Sequence, residues 1–168
     1  MLRPYIDDHF RLLTLWITDP HILFRFSGTY FSYPLTRDQI NDYLIRFPER
    51  RFYIGYDPDH IPYAFGEIIP KPDQPPRLGR LLIGDPEKRG RGLGGIFVRE
   101  LIAQIRRMMN PAAVDLFVLE NNLPAIRCYE KIGFSFLPDE KFDLVFEGTS
   151  YLVKKMRLSL ESEKSAPA

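Results

Sequence analysis

The apolar positions in the first third of the chain repeat at the interval of an α-helix in two places. Residues 7–16 predict one helix, with an aspartate available as its cap and apolar side chains on one face. Apolar residues at i, i+3, i+4 and i+7 from Ile40 predict a second helix behind a capping-box pattern at 36–39. Between the two helices, the aromatic-rich stretch 21–34 has no clean period, so short helix and loop are expected there.

After Pro48 the pattern changes to short apolar runs that are separated by turn residues, which predicts strands. One of these runs, 114–119, is apolar without alternation, as is typical of a buried parallel strand. The expected strands are 51–56, 63–69, 78–83, 114–119, 134–137 and 150–158.

A glycine-rich segment follows the third of these strands and leads into an amphipathic helix from Ile96 to about Met109. The segment reads Arg89-Gly90-Arg91-Gly92-Leu93-Gly94-Gly95. Backbone N–H groups at a helix start have no intrahelical partner, and the helix dipole adds partial positive charge there. Because glycines let phosphates approach closely and the two arginines add positive charge, the segment predicts a site for a phosphorylated ligand.

A second motif lies some tens of residues further on, where 122–134 reads Asn-Leu-Pro-Ala-Ile-Arg-Cys-Tyr-Glu-Lys-Ile-Gly-Phe. It predicts a short helix that Gly133 ends. The motif resembles the Asn-x-x-Ala-x-x-x-Tyr-Glu-Lys-x-Gly-Phe signature of the GNAT superfamily, the acyl-CoA-dependent N-acyltransferases. Arg89, Gly92 and Gly94 resemble the Arg-x-x-Gly-x-Gly motif with which that family binds pyrophosphate. Both motifs occur in the family's order and at its usual separation.

The resemblance implies an α/β (α+β) fold with a mixed, mostly antiparallel sheet and flanking helices. In that fold the sheet is splayed between its fourth and fifth strands, and coenzyme A (CoA) lies in the opening. The expected N-acetyltransferase domain is 1–160. The polar end of the chain, 161–168, lacks large apolar side chains and is predicted to be a disordered tail.

By this resemblance acetyl-CoA is the cosubstrate. Main-chain N–H groups of the glycine-rich segment would cradle its diphosphate, and the preceding strand would pair with the pantetheine arm. Gly84 stands where the family usually has an apolar residue, which either widens the channel or shifts the register by one. Asn122 would contact pantetheine or cap the short helix. The expected cofactor-binding residues are Leu82, Ile83, Gly84, Arg89, Gly90, Arg91, Gly92, Leu93, Gly94 and Asn122.

Acetyl transfer to an amine requires a neutral nucleophile and a proton for the departing thiolate. The resemblance directs Tyr129 toward the CoA sulfur as general acid, since a phenol with a pKa near ~10 stays protonated at neutral pH. Glu67 is the candidate general base, because it interrupts an apolar strand near the expected cleft. Each of these residues also has an interpretation without a catalytic role. Tyr129 would then be an aromatic residue of the core, and Glu67 would be a carboxylate that faces outward. Asp85 and Glu120 are other candidates for the base.

Composition and charge narrow the function classes. The chain has 168 residues, which fits one domain, and its net charge of +1 argues against a nucleic-acid-binding role. No apolar run approaches the ~18 residues of a membrane-spanning helix, so no membrane partner is expected. The one cysteine, Cys128, suits a reducing compartment, and a cytoplasmic location is expected. No histidine stands near it and no Cys/His pair has metal-ligand spacing, so neither a thiol nucleophile nor a metal is predicted.

The acceptor is expected to be an amine-bearing small molecule or a peptide N-terminus, which attacks directly in a ternary complex. Residues 2–4, the Trp16 to His21 run and the helix 125–131 resemble the branch of ribosomal-protein N-terminal and aminoglycoside 6′-N-acetyltransferases. The resemblance places the acceptor cleft along the N-terminal helices and the loop between them, at 21–33, where aromatic residues are dense and Arg25 lies among them. Acidic residues are scarce between His21 and Asp38, which argues against a polycationic aminoglycoside as the acceptor. A homodimer is left open.

Two other functions fit parts of the same pattern. A non-catalytic CoA-binding sensor or scaffold would carry the same glycine-rich segment. A dinucleotide-binding oxidoreductase would use Gly90-x-Gly92-x-Gly94 with Asp115 or Glu120 as the ribose ligand. However, the first glycine of a dinucleotide-binding motif directly follows its strand, whereas here six residues, 84–89, lie between the predicted strand and Gly90. Too little chain follows the motif for a doubly wound sheet.

Overall fold

The structure is a computed structural model that describes residues 1–160, and the expected tail 161–168 lies outside the described residues. Within this range the helices are α1 Phe10–Trp16, α2 Pro20–Ser27, α3 Arg37–Arg46, α4 Leu93–Met109 and α5 Leu123–Ile132. The strands are β1 Leu2–Pro4, β2 Arg51–Tyr56, β3 Pro62–Ile69, β4 Arg77–Ile83, β5 Ala113–Leu119, β6 Ser135–Phe146 and β7 Thr149–Ser159.

The strands form one sheet in the order β1-β2-β3-β4-β5-β7-β6, and neighbours are antiparallel except for the parallel pair β4 and β5. In the described residues, β4 and β5 pair only where Arg77 meets Asp115 and Leu78 meets Leu116. The two strands therefore separate after Leu78. This confirms the predicted fold class, a mostly antiparallel sheet that is splayed between its fourth and fifth strands.

A bulge in β4 marks the point of separation. The β3–β4 pairing shifts register between Phe65 and Glu67, and Arg80 has a φ of 49°, in the left-handed region. A bulge bends its strand and increases the local twist. The end of β4, 81–83, thus stays paired with β3 while its other edge faces an opening.

The helices pack on both faces of the sheet, because alternate side chains of each strand point to opposite faces. On one face, α4 and α5 bury Phe97, Leu101 and Ile126 against strand residues that include Leu116. On the other face, α1, α2 and α3 bury their apolar sides against a separate cluster. Its helix members are Leu13, Trp16, Leu23, Phe26, Ile40 and Tyr43, and its strand members are Phe52, Ile54, Tyr56 and Phe65.

Four elements differ from the sequence-based expectation. The predicted helix 7–16 is a 3-10 turn at Asp7–His9 followed by α1, and no aspartate side chain caps either of them. The strand β1 was not predicted, because three residues are too short to show a period. The strand β6 continues past residue 137 to Phe146, since β7 supplies backbone partners to a stretch whose side chains are mostly exposed. The helix α4 begins at Leu93 rather than at Ile96, although glycines fill its first turn and have low helix propensity.

Gly84 lies directly after β4, where α1 approaches the sheet. An added Cβ there would lie 1.9 Å from the nearest ring carbon of Trp16, while the Gly84 N–H donates to the Tyr63 carbonyl oxygen at 2.9 Å. The glycine is therefore explained by the close approach of the Trp16 ring. The register of the β4 end is in turn fixed by Tyr63.

We expect Gly84→Ala to lower the free energy of unfolding by about 1–3 kcal/mol, because the methyl group overpacks the contact with Trp16. Gly94→Ala is the matched control, since its Cβ would meet its nearest neighbours at 3.6–4.0 Å, which is ordinary contact. Urea denaturation of both variants measures the difference. Equal losses at the two positions would contradict the packing argument.

Candidate active site

A cavity of about 660 Å³ opens where β4 leaves β5. One wall is the free edge of β4 at Leu81, Leu82 and Ile83, and the opposite wall is α5. The glycine-rich segment and the first turns of α4 close one end. The splay of the sheet thus produces a channel that is bordered by unpaired strand backbone and by a helix N-terminus.

The glycine-rich segment presents main-chain donors to this cavity. Gly90 and Gly92 have φ values of 74° and 79°, a conformation that costs glycine little and other residues more. Gly92 is the N-cap of α4, and no side chain caps the helix there. The Gly95 N–H donates to the Gly92 carbonyl oxygen at 3.1 Å, whereas the earlier N–H groups of the turn are available to an anion, which the helix dipole favours.

Basic side chains surround the same cavity. Arg89 is held against the strand, because its Nε donates to the Ile83 carbonyl oxygen at 3.0 Å. Five further basic residues in the lining were not among those predicted from the sequence: Arg25, Lys88, Arg99, Arg127 and Lys131. Arg127 and Lys131 lie one turn apart on α5, and this i, i+4 spacing was the available signal. The cavity therefore suits a ligand that carries several phosphate charges.

Most of the predicted cofactor-binding residues line this cavity, namely Leu82, Ile83, Arg89, Gly90, Gly92, Gly94 and Asn122. Asn122 also caps α5, since its side chain accepts the Ala125 N–H at 3.4 Å. The structure does not bring Gly84, Arg91 or Leu93 to the lining. Gly84 is buried under Trp16, Arg91 is exposed to solvent, and Leu93 packs against the core.

Cys128 lies in the wall of the cavity beside the start of α4, where the Cβ of a residue at Gly94 would be 3.6 Å from its Sγ. Burial raises the pKa of this thiol above its usual range, although the charges of Arg99 and Lys131 act in the opposite direction. A thiol of raised pKa is a poor nucleophile at neutral pH. The position of Cys128 makes it a reporter of occupancy in the cavity.

We expect acetyl-CoA to protect Cys128 from alkylation by a maleimide. At a concentration of about ten times Kd, mass action leaves about a tenth of the sites empty, so the rate should fall about tenfold. Because the chain has one cysteine, the total adduct measured by mass spectrometry reports this site alone. Protection must disappear in urea-unfolded chain, and an unchanged rate in the folded chain would argue against this cavity as the binding site.

A second cavity, of about 360 Å³, adjoins the first. The two cavities share Arg25, Phe26, Leu81, Asn122 and Tyr129 in their linings. Tyr129 therefore lies where a ligand in one cavity would meet a ligand in the other. The aromatic side chains of the second cavity come from α2, its following loop, the end of α3, β5, α5 and β6. They are Phe24, Phe26, Tyr30, Phe47, Phe117, Tyr129 and Phe142.

Tyr129 is 8% exposed and packs beside Phe134, at 6.0 Å between ring centroids. Burial raises the pKa of its phenol above the ordinary value, and Cys128 raises it further. The phenol is thus protonated throughout the neutral range and can donate a hydrogen bond. Core packing and access to both cavities are combined in this one side chain, and its catalytic role stays a prediction.

Glu67 points into the protein and is fully buried on β3. The Tyr43 hydroxyl donates to its Oε1 at 2.5 Å, and Arg80 forms an ion pair with its Oε2. Arg50 lies 3.8 Å from Oε1. The carboxylate is therefore neutralised inside a network, and its partners Arg50 and Arg80, rather than Glu67 itself, line the second cavity.

The other two carboxylates considered as bases have different surroundings. Asp85 accepts the Glu87 N–H at 2.9 Å and caps a short 3-10 turn at Pro86–Lys88. Glu120 is exposed and pairs with Lys154 at 2.7 Å. Neither lines either cavity.

Within residues 1–160, no group of three or more His, Cys, Asp or Glu side chains is arranged to hold a metal ion. The same part of the chain contains no helix that is both long enough and apolar enough to cross a bilayer.

Residues 64–142 match the family described as FR47-like protein. Over 105 residues the chain is 29% identical to a spermine/spermidine N(1)-acetyltransferase of Bacillus subtilis (strain 168), and the alignment covers 60% of this chain and 66% of that protein. A probable spermine N(1)-acetyltransferase of Bacillus subtilis subsp. natto (strain BEST195) matches to the same extent. The chain thus spans just under two thirds of the length of these curated relatives.

Solved structures match over nearly the whole chain. Spermidine N-acetyltransferase from Vibrio cholerae, in complex with CoA and spermine, has a TM-score of 0.78 at 16% identity and covers 95% of this chain and 94% of its own. A putative acetyltransferase from Salmonella typhimurium with acetyl-CoA has a TM-score of 0.72 at 14% identity, with coverages of 100% and 98%. These proteins share the fold. The finer resemblance to the ribosomal-protein and aminoglycoside branch stays a prediction.

Proposed function

We propose that the chain is a GNAT acetyltransferase, which transfers the acetyl group of acetyl-CoA to a primary amine, and the match of residues 64–142 to the FR47-like family supports this. The observation that supports this most is the meeting of two cavities at Tyr129. One cavity suits the cosubstrate and the other suits the amine. A direct transfer in a ternary complex requires this arrangement, since both substrates must be bound at once.

The larger cavity fits the chemistry of CoA along its length. The uncapped N-terminus of α4 provides main-chain N–H donors for the diphosphate, and Arg99, Arg127 and Lys131 supply positive charge for its phosphates. The free edge of β4 at 81–83 offers backbone groups to the amide-containing pantetheine arm, as a neighbouring strand would. Each part of the ligand thus has a matching part of the wall.

Tyr129 acts in this proposal as the general acid. While the amine nitrogen forms its bond to the carbonyl carbon, main-chain N–H groups of β4 stabilise the negative charge on the carbonyl oxygen. As the carbon–sulfur bond breaks, Tyr129 donates its proton to the sulfur, so that CoA leaves as a thiol. The nitrogen gives up one proton in the same reaction, and this proton restores the phenol through water or solvent.

Glu67 stays the predicted base. It would take the proton that a cationic amine must lose before it attacks, by way of Tyr43, whose hydroxyl donates to Oε1 at 2.5 Å. The ion pairs of Glu67 also give it a second role, because they fix Arg50 and Arg80 at the wall of the second cavity. If the amine instead loses this proton to solvent, the reaction needs no base from the protein.

Thiol release from acetyl-CoA tests the proposal with a panel of amines: N-terminal peptides, free amino acids, aminoglycosides and the polyamines for which the Bacillus relatives are named. Turnover with any of these amines supports an N-acetyltransferase. Binding of acetyl-CoA without turnover across the whole panel would favour the alternative, a CoA-binding sensor of the same fold. We expect the protein to act in a reducing compartment such as the cytoplasm.

A further inference from the structure

We infer that the amine accepted by this site also carries an oxyanion, a carboxylate or a phosphorus oxyanion, and that the site disfavours polyamines. The inference rests on the proposed function and narrows it to a substrate class. It comes from the charges that line the second cavity, to which α2, the segment before β2, and β4 each contribute.

Four arginines line this cavity: Arg25, Arg50, Arg77 and Arg80. No aspartate or glutamate within the described chain is part of the lining. The carboxylates that pair with these arginines lie outside the lining: Glu67 is fully buried and pairs with Arg50 and Arg80, and Glu49 lies 3.7 Å from Arg50 Nε. Even with both carboxylates counted, the four arginines leave an excess of positive charge.

Two of these arginines have hydrogen-bonding capacity that the described residues do not use. The Nε atoms of Arg50 and Arg80 are buried and have no hydrogen-bond partner. The Arg80 side chain is only 8% exposed. One of its terminal nitrogens, Nη1, donates to Glu67 and to the Tyr43 hydroxyl oxygen. Unpaired buried donors are costly, more so on charged groups, and an oxyanion toward which either guanidinium turned would offset that cost.

The arginines are also held in place. The Arg80 guanidinium lies 4.2 Å from the Tyr43 ring centroid, and Arg50 lies 3.8 Å from that of Phe47. Arg77 lies 4.7 Å from the Phe117 centroid. Guanidinium groups that stack on aromatic rings lose little additional freedom when they bind a carboxylate or a phosphorus oxyanion through paired N–H donors.

Arg77 shows how crowded the positive charge is. Burial lowers its pKa, and the neighbouring Arg50 and Arg80 lower it further, although Glu67 acts in the opposite direction. Within the described residues Arg77 forms no ion pair of its own. An anion in the cavity would relieve this repulsion, whereas a polyamine would add several like charges to it.

Matched amines test the inference through kcat/KM for thiol release. Butylamine carries no anion, γ-aminobutyrate carries a carboxylate, and aminopropylphosphonate carries a phosphorus oxyanion, all on chains of similar length. Phenethylamine and phenylalanine make the same comparison with an aromatic group, and spermine represents polyamines. We expect an anionic member of at least one set to exceed its neutral partner and spermine by about tenfold or more, as a charge-assisted hydrogen bond implies.

Arg77→Gln should lower kcat/KM for the preferred anionic amine about tenfold and that for its neutral partner by much less, since only the anion pairs with the guanidinium. Arg106→Gln is the control, because Arg106 is an exposed arginine on α4 outside both cavities. Arg77 is chosen over Arg80 because its removal leaves no buried ion-pair partner behind. Equal losses for anionic and neutral amines would contradict the inference.

The outcomes separate this inference from the proposed function. If butylamine, phenethylamine or spermine is the best substrate, the inference is overturned and the N-acetyltransferase stands. If no amine is acetylated, the proposed function fails, and melting temperatures of the CoA-loaded chain decide the inference. Stabilisation by N-acetylphenylalanine above that by N-acetylphenethylamine then supports an oxyanion site, and equal stabilisation refutes it.

Discussion

Tyr129→Phe should lower kcat for acetyl transfer by roughly 10²- to 10⁴-fold, the usual contribution of a positioned general acid. The change removes one oxygen from a buried ring at the junction of the two cavities. Phenylalanine keeps the packing against Phe134, and the end of the cavity that is proposed to bind the phosphates is unaltered. The Kd of acetyl-CoA should therefore stay within about twofold of the wild-type value, since binding does not depend on the hydroxyl.

Tyr63→Phe is the matched control for that experiment. Tyr63 is also a buried tyrosine, and burial raises its pKa to about 12, but it lines neither cavity. We expect this variant to retain wild-type turnover. If Tyr129→Phe also turned over at the wild-type rate, Tyr129 would be a core residue and not the acid.

Gly92→Asp should weaken acetyl-CoA binding by roughly 10- to 100-fold. Gly92 begins α4 at the end of the cavity assigned to the diphosphate, and an added carboxylate would face phosphate charges there. Two like charges about 4 Å apart repel by about 4 kcal/mol at an effective dielectric constant near 20, and solvent at this exposed turn reduces that figure. Calorimetric titration with acetyl-CoA measures the loss, which added salt should diminish.

Gly148→Asp is the control that separates the effect of the added charge from the effect of backbone strain. Gly148 has a φ of 75°, close to the 79° of Gly92, and an added Cβ at either glycine meets nothing within 4 Å. It lies in the turn between β6 and β7, outside both cavities. We expect both variants to lose similar stability, while only the change at 92 weakens binding. Equal binding losses would show that strain or partial unfolding is the cause.

The donor side of the site could be predicted because its determinants are local. A strand, a glycine-rich segment and a helix follow one another directly, so the sequence itself brings Ile83, Gly92 and Gly94 together. Asn122 and Tyr129 lie within one short helix and its cap. Helical and strand periods also predicted most elements, since each depends on neighbours a few residues away.

Only the α2 part of the acceptor side could be predicted, because the other residues are distant from it in the sequence. Arg25 lies on α2, Arg50 precedes β2, and Arg77 and Arg80 lie on β4. No spacing relates these positions, and only the folded sheet brings them to one cavity. The sequence also did not show that Glu67 is buried, because a carboxylate in a strand is usually exposed unless partners from other elements neutralise it.

The substrate of a shared fold is decided by the side chains at its site. Here the glycine-rich segment and β4 edge agree with the family, whereas the second cavity carries four arginines of this chain. An acceptor that bears an oxyanion is therefore compatible with relatives that are named for polyamines. The donor site would be held in common, and the acceptor would be selected by the charges that α2, the segment before β2, and β4 contribute.

A crystal structure of the complex with CoA is the most direct test of the central claim, and the distance to measure is from the CoA sulfur to the Tyr129 hydroxyl oxygen. We predict that the diphosphate contacts the main-chain N–H groups at the start of α4 and that the sulfur lies within about 3–3.5 Å of the hydroxyl. A diphosphate bound elsewhere, or a sulfur beyond the reach of Tyr129, would contradict the proposed site.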